Sequence, residues 1–381
     1  ICHYPLDIKG KFECSNETYN KMWEISQNTL LCCMHEIFVD CPYREQQQYI
    51  MDSAIEMMVS LRLSSDTRLI EKMISEFASS QRPSGVLCCN YPCDGVQIIP
   101  VFSLCWIIML ADYAETTGKF SFAKQYIGVC DRIISYFEAN LNEDGLYMNG
   151  RYWDYVDAVR PWGNYSTPVN EVGGVVTANS LLFAYALKRL YMLCCEVGRN
   201  GLAQEYKEKY KRTKNAVNSK CFDKSKMVYV DSPGLESYSE HTAIWATLAE
   251  TQPLEILRQM LIESEKEHIH KCTFSVRYFM FRALEKTGLY DRASHHLKAW
   301  EEMINLNCTT WCENPVNPSS ECHAWSSAPL YEFSANVLGV KVENGSEIII
   351  SPKCLDLSFA GGTVPINDNL INIDWNIVNG K

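Results

Sequence analysis

The sequence predicts an all-α fold, an (α/α)6 barrel of six helical hairpins with a small β appendage at its C-terminus. Two observations predict the barrel: helical periodicity recurs through twelve segments, and the connections between them alternate short and long. A third predicts the appendage. After about Val340 the pattern changes to β-branched runs separated by turn residues.

In chain order the helices are expected near 16–34, 46–62, 66–80, 98–117, 120–140, 171–198, 200–219, 239–250, 253–262, 272–287, 289–306 and 322–338. Gly118, Gly198 and Gly288 fall where helix C-caps belong. Phe102 to Ala114 is apolar around most of a helix, the mark of a buried one. The connections before the even-numbered helices are long, near 35–45, 81–97, 141–170, 220–238, 263–271 and 306–321. In a ring of antiparallel pairs every second connection lies at the same end, so the long loops share one rim, where sites are built. Ser346–Ser351 and Leu370–Trp375 read as strands, divided by Gly361-Gly362 and Asn367-Asp368-Asn369. Forty such residues predict a small sheet packed on the barrel, or the start of a further domain. The expected domains are 1–14, a remnant of an N-terminal β segment; 15–340, the barrel; and 341–381, a short β segment.

The 381 residues, 47% hydrophobic, suffice for one large core. A net charge of −11 without a basic run argues against nucleic acid as a partner. No long uninterrupted apolar window predicts a membrane span. Ile1–Lys11 lacks the charged start and apolar core of a signal peptide, and the chain opens without Met, as a processed or truncated form would. The 18 cysteines include the adjacent pairs Cys32-Cys33, Cys88-Cys89 and Cys194-Cys195. The Cys308/Cys312 and Cys89/Cys93 spacings have no second half for a zinc site. Most cysteines read as reduced core residues of a cytoplasmic protein, and the sequons at Asn16, Asn164, Asn307 and Asn344 do not overturn that. Neither metal nor cofactor is expected, and oligomeric state is not legible.

The richest stretch runs from Asp40 to Asp52. Pro42 and the polar run after it predict a helix start near Arg44, which would stack Glu45, Tyr49 and Asp52 on one face with Asp40 in the loop before it. A solvated helix start, where acids meet the positive dipole end, explains the same residues. The loop before the fourth helix holds Tyr91, Asp94 and Gln97. The loop before the sixth runs through Asn149, Arg151, Trp153, Asp154 and Asp157 to Trp162 and Tyr165. The loop before the twelfth holds Trp311 and Glu313, then His323 and Trp325. Alone, Trp153 fits a core anchor and His323 a satisfied helix start. Their convergence on one rim favours a carbohydrate site. A glycosidase sets two carboxylates about the scissile bond. Glu45, at a helix start, suits an acid of raised pKa; Glu313, on a loop, suits a base that activates water.

Asp40-Cys41-Pro42, Arg44-Glu45 and Asp52 resemble the signature of the bacterial α-L-rhamnosidases of glycoside hydrolase family 78. The resemblance extends through Ile99–Gly118, Trp153-Asp154, Gly174–Leu193, Trp311–Glu313, Cys322–Trp325 and the strand-like tail. It implies an (α/α)6 catalytic domain and an exo-acting, inverting enzyme that needs no metal. It implies Glu45 as general acid, Glu313 as general base, and Asp40 and Asp52 as holders of the rhamnose hydroxyls. Arg44, Tyr49, Trp153, Asp154, Trp162, His323 and Trp325 are its further expected sugar contacts. Three departures stand out: Tyr49 replaces the family's usual tryptophan, glutamines fill 46–48, and the family's N-terminal β-domains are absent. Another glycosidase on the same barrel, or a degenerate sugar-binding protein without turnover, are the alternatives.

Overall fold

The computed structural model describes residues 3–148, 150, 152–316 and 318–378. Asn149, Arg151 and the side chain of Tyr165, from the expected rim loop, lie outside the described residues. The helices are α1 (Glu17–Cys33), α2 (Ile50–Ser60), α3 (Arg68–Ser79), α4 (Pro100–Thr117), α5 (Phe120–Lys124), α6 (Ile127–Ala139), α7 (Thr177–Glu196), α8 (Asn200–Lys220), α9 (Glu240–Leu248), α10 (Leu254–Ser264), α11 (Phe274–Thr287), α12 (Ala293–Asn305) and α13 (Ala328–Glu332). Each expected segment overlaps one of these, and the fifth overlaps two. Gly118, Gly198 and Gly288 have φ of 73°, 73° and 71°, as left-handed helix ends require. No helix among the described residues is long and apolar enough to cross a membrane.

Three expected helices take a different form. The second begins at Ile50 rather than near Arg44. The Asp40 N–H donates to the Gln47 carbonyl at 2.9 Å, and its Oδ1 accepts the Gln47 N–H at 2.9 Å. Those bonds close residues 40–47 into a loop, with Gln46 left-handed at φ 56°. The stacking of Glu45 above Tyr49 and Asp52 is therefore corrected: Glu45 is on no helix. The fifth segment breaks at Gln125-Tyr126 into α5 and α6. The twelfth runs as a 3₁₀ turn (Ala324–Ser327), α13 and a π turn (Phe333–Val337).

The chain divides into two compact units. The first comprises Ile1–Glu76, Asp112–Lys119 and Tyr290–Lys381. Its α2 is buried on all sides except at Ala54, including Ile50, Met51, Ile55 and Val59. Burial of each such side chain contributes roughly 1.5–3 kcal/mol before entropy is set against it. Strands β1 (Lys11–Cys14), β6 (Phe359–Ile366) and β7 (Asn369–Asn376) form an antiparallel sheet in the order β1-β6-β7. Gly362 permits the β1 pairing, since a Cβ there would come within 2.1 Å of the Lys11 carbonyl oxygen. Phe12 of β1 stacks on Trp23 and Phe333 at 5.5 and 4.9 Å, and Trp375 Nε1 donates to the Val337 carbonyl at 3.0 Å. The tail is thus a small sheet packed on helices, completed by the N-terminal strand. The β4 (Val340–Glu343) and β5 (Glu347–Ile350) hairpin turns at Asn344-Gly345, both at positive φ as a type I′ turn demands.

The second unit comprises Phe77–Ala111 and Phe120–Leu289. Here α7 packs along α8 and against α9, and α9 packs on α10 and α11. The two-residue strands β2 (Phe222–Asp223) and β3 (Val228–Tyr229) lie in the loop after α8.

Candidate active site

In the first unit the loop after α1 and the segment before α13 are tied together through backbone. The Ala324 N–H donates to the Asp40 carbonyl at 3.1 Å, and the His323 N–H to the Trp311 carbonyl at 2.8 Å. Trp311 is itself anchored, its Nε1 donating to Ser26 Oγ at 2.8 Å. Asp40, in the first loop, and Asp52, in the first turn of α2, are 1% and 2% exposed. His323 Nε2 lies 3.0 Å from Asp52 Oδ1, and the His323 ring packs on Trp325 at 4.3 Å. Glu313 is half-buried; its Oε2 accepts the Ser319 N–H at 3.0 Å and its carbonyl accepts Trp325 Nε1 at 2.7 Å.

These acids have few donors. Asp40 Oδ2 and both oxygens of Glu56, one turn beyond Asp52 on α2, are buried without a hydrogen-bond partner among the described residues. Burial, then the neighbouring Asp52, pushes Asp40 up to about 6. Burial holds Asp52 well above the usual carboxylate range, with Glu45 adding to the shift. It does the same to Glu56, reinforced by Asp52 and Asp40. Glu313 is also raised by burial, His323 partly opposing. Burial lowers His323 despite Glu313, Asp40 and Glu45 nearby. The pair Asp52–His323 is best described as neutral, because desolvation outweighs the attraction.

Glu45 is exposed in the 40–47 loop, its N–H donating to Cys41 Sγ at 3.3 Å. Its charge is felt by Asp52, Glu313 and His323, so it borders the cluster. Arg44 is exposed and donates to the Ser319 carbonyl at 2.9 Å, bridging the 40–47 loop to the Glu313 loop. Tyr49 is the half-buried N-cap residue of α2. One unit therefore brings together Asp40, Arg44, Glu45, Tyr49, Asp52, Glu313, His323 and Trp325. Glu56 was not anticipated; its spacing of four from Asp52 is the signal that could have found it.

Trp153, Asp154 and Trp162 belong to the second unit. Asp154 is buried, accepts Tyr147 Oη at 3.1 Å, and is pushed by burial to about 7. Trp153 is 39% exposed, edge-on to Tyr155. Trp162 packs on His241 and His270 at 4.9 and 6.0 Å. His241 in turn meets Asp157 at 2.7 Å.

A groove of about 1150 Å³ lies between α1 and the β1-β6-β7 sheet, and its Glu13 and Glu17 are exposed to solvent.

The sequence model described as the bacterial alpha-L-rhamnosidase 6 hairpin glycosidase domain matches residues 7–337. The chain belongs to this family. Among solved structures, the six-hairpin chain is similar to the GH78 family rhamnosidase of Bacillus sp. GL1, at 25% identity and a TM-score of 0.90 over 99% of this chain and 41% of that one. It is similar in fold to the rhamnosidase from Klebsiella oxytoca with rhamnose bound, at 20% identity and a TM-score of 0.76 over 86% of this chain and 66% of that one. The Streptomyces avermitilis α-L-rhamnosidase complexed with L-rhamnose shares the fold at 15% identity and a TM-score of 0.78, over 99% of this chain and 37% of that one. The chain thus spans about two fifths of the length of the Bacillus and Streptomyces proteins. No curated protein matched the sequence.

Proposed function

We propose that the chain is the catalytic domain of an exo-acting, inverting α-L-rhamnosidase that releases terminal rhamnose without a metal. One observation carries the reading: a cluster of donor-poor buried carboxylates, bordered by the exposed Glu45, lies within the residues that match the family. Sugar hydroxyls supply the donors these carboxylates lack. The catalytic domain is proposed to run over 15–340 as an (α/α)6 barrel, with β segments at 1–14 and 341–381.

In this reading Glu45 gives its proton to the glycosidic oxygen as the bond to the anomeric carbon breaks. Glu313 takes a proton from a water that attacks that carbon from the opposite face. The Ser319 N–H occupies Glu313 Oε2, and Oε1 is the oxygen proposed to take the water's proton. A base raised toward working pH is a stronger base, which suits Glu313. Asp40 and Asp52 accept sugar hydroxyls. His323 and Trp325, together with Arg44 and Tyr49, complete the proposed sugar contacts of the first unit; Trp153, Asp154 and Trp162 are proposed as sugar contacts of the second unit, taken by itself.

A panel of aryl glycosides on the chain as it stands tests this. Aryl α-L-rhamnoside should be cleaved above all others, and the first sugar seen by proton NMR should be β-L-rhamnose. The α-anomer first would overturn inversion. Preference for another glycoside would favour a different glycosidase, and sugar binding without turnover would favour the degenerate alternative.

A further inference from the structure

Asp40, Cys41 and His323 each turn a metal-ligating atom into one spot, with all three atoms within 4.8 Å of one another. All three residues are nearly sealed from solvent, at 1%, 1% and 3% exposure. Two of their polar atoms, Asp40 Oδ2 and His323 Nδ1, are buried without a hydrogen-bond partner among the described residues. His323 is held from its far side: in the tautomer that donates Nε2–H to Asp52, Nδ1 presents a lone pair. A carboxylate gripping the second nitrogen is how proteins orient metal-binding imidazoles. The Glu45 N–H already points at the Cys41 sulfur, 3.3 Å away, and would steady a thiolate there.

We propose that Asp40, Cys41 and His323 form a binding site for a borderline-soft divalent cation of the zinc class, and that its occupancy inhibits the enzyme. One sulfur, one nitrogen and one oxygen suit zinc or cobalt and exclude magnesium and calcium, which take oxygen ligands. Three protein ligands leave a fourth position to water, as in other open zinc sites. Binding replaces the Cys41 S–H bond with a sulfur–metal bond and releases one proton to solvent, so affinity rises with pH. Inhibition follows because the cation occupies Asp40; that consequence alone rests on Asp40 being a sugar-binding group.

Titration of the full chain with Co²⁺ tests the site directly. A thiolate-to-cobalt charge-transfer band should grow to one equivalent, remain in excess Mg²⁺, and be displaced by Zn²⁺. Cys41→Ser should weaken binding by at least roughly 100-fold, the upper loss seen when only an outer partner of a metal ligand is removed. Absence of the band overturns the proposal, as does a band that survives in Cys41→Ser. X-ray absorption on the zinc-loaded wild type gives a second reading that needs no variant. One sulfur with nitrogen and oxygen neighbours supports the site; two or more sulfurs assign the metal instead to the cluster in which Cys322 meets the thiols of Cys32 and Cys33. Zn²⁺ should also lower aryl-rhamnoside turnover in the wild type. Lack of turnover before metal is added counts against the rhamnosidase reading, whereas the spectra report on the metal site alone.

Discussion

Each unit buries an aspartate against a histidine, and the two pairs are built differently. In the second unit Asp157 accepts from His241 Nε2, the Thr273 N–H and hydroxyl, and the Ala158 N–H. Its carboxylate is saturated by the protein. In the first unit Asp52 meets His323, Asp40 holds one backbone N–H, and Glu56 meets no donor among the described residues. A saturated carboxylate holds elements in place. A donor-poor one is raised in pKa and keeps free capacity for hydroxyls, water or a cation. The same residue pair therefore has a saturated carboxylate in one unit and sits among donor-poor carboxyls in the other.

The sharpest way to break that contrast is to remove one group from each side. Glu45→Gln and Glu313→Gln should each lower aryl-rhamnoside kcat by roughly 10²–10⁴-fold, the usual contribution of a positioned acid or base. Their urea midpoints should stay near the wild type, because neither side chain is fully buried. Asp157→Ala should do the reverse in kind. It strands His241 and Thr273 in the interior and should cost about 3–5 kcal/mol of stability, read by urea unfolding. Were Asp157→Ala stable, or Glu313→Gln unfolded, the division into saturated and donor-poor pairs would fail.

The pH dependence of stability sharpens the same comparison. Asp40 titrates at about 6 in the fold against an ordinary 3.8. The folded state binds that proton more tightly, so its contribution is complete below about 3.8 and is lost as pH rises to about 6. At about 1.4 kcal/mol per pH unit, the loss is about 2–3 kcal/mol. Glu56 acts with the same sign, starting above its ordinary 4.5. Unfolding measured from pH 4 to 7 should fall less steeply in Asp40→Asn and Glu56→Gln, and equal slopes in all three proteins would contradict the raised carboxyls. The smallest effect is expected at Tyr49. Tyr49→Trp restores the family's usual ring at the N-cap of α2 and should lower KM for rhamnoside by less than tenfold, with kcat little changed.

Much of this was legible in the chain. The periodic segments, the glycine C-caps and the acid-bearing loops all depend on neighbours a few residues away. Glu45 shows where that ends. The Pro42 signal for a helix start was outweighed by Asp40, whose side chain takes the Gln47 N–H and keeps 40–47 a loop. Glu56 escaped notice because its one local signal, the spacing of four from Asp52, lies inside an otherwise apolar helix. Strand β1 found its partner β6 nearly the whole chain away, with Lys11 opposite Thr363.

The sequence by itself determined which segments are helical, which loops carry acids and aromatic rings, and the resemblance to a rhamnosidase domain, because propensity, capping and motif spacing are local. The tertiary structure alone decided which carboxylates are saturated and which are not. Hydrogen-bond supply at Asp52 depends on His323, 271 residues later, and the Asp40 carboxyl feels both Asp52 and His323. Those contacts exist only once the chain has packed, and they set the proton affinities on which the chemistry rests.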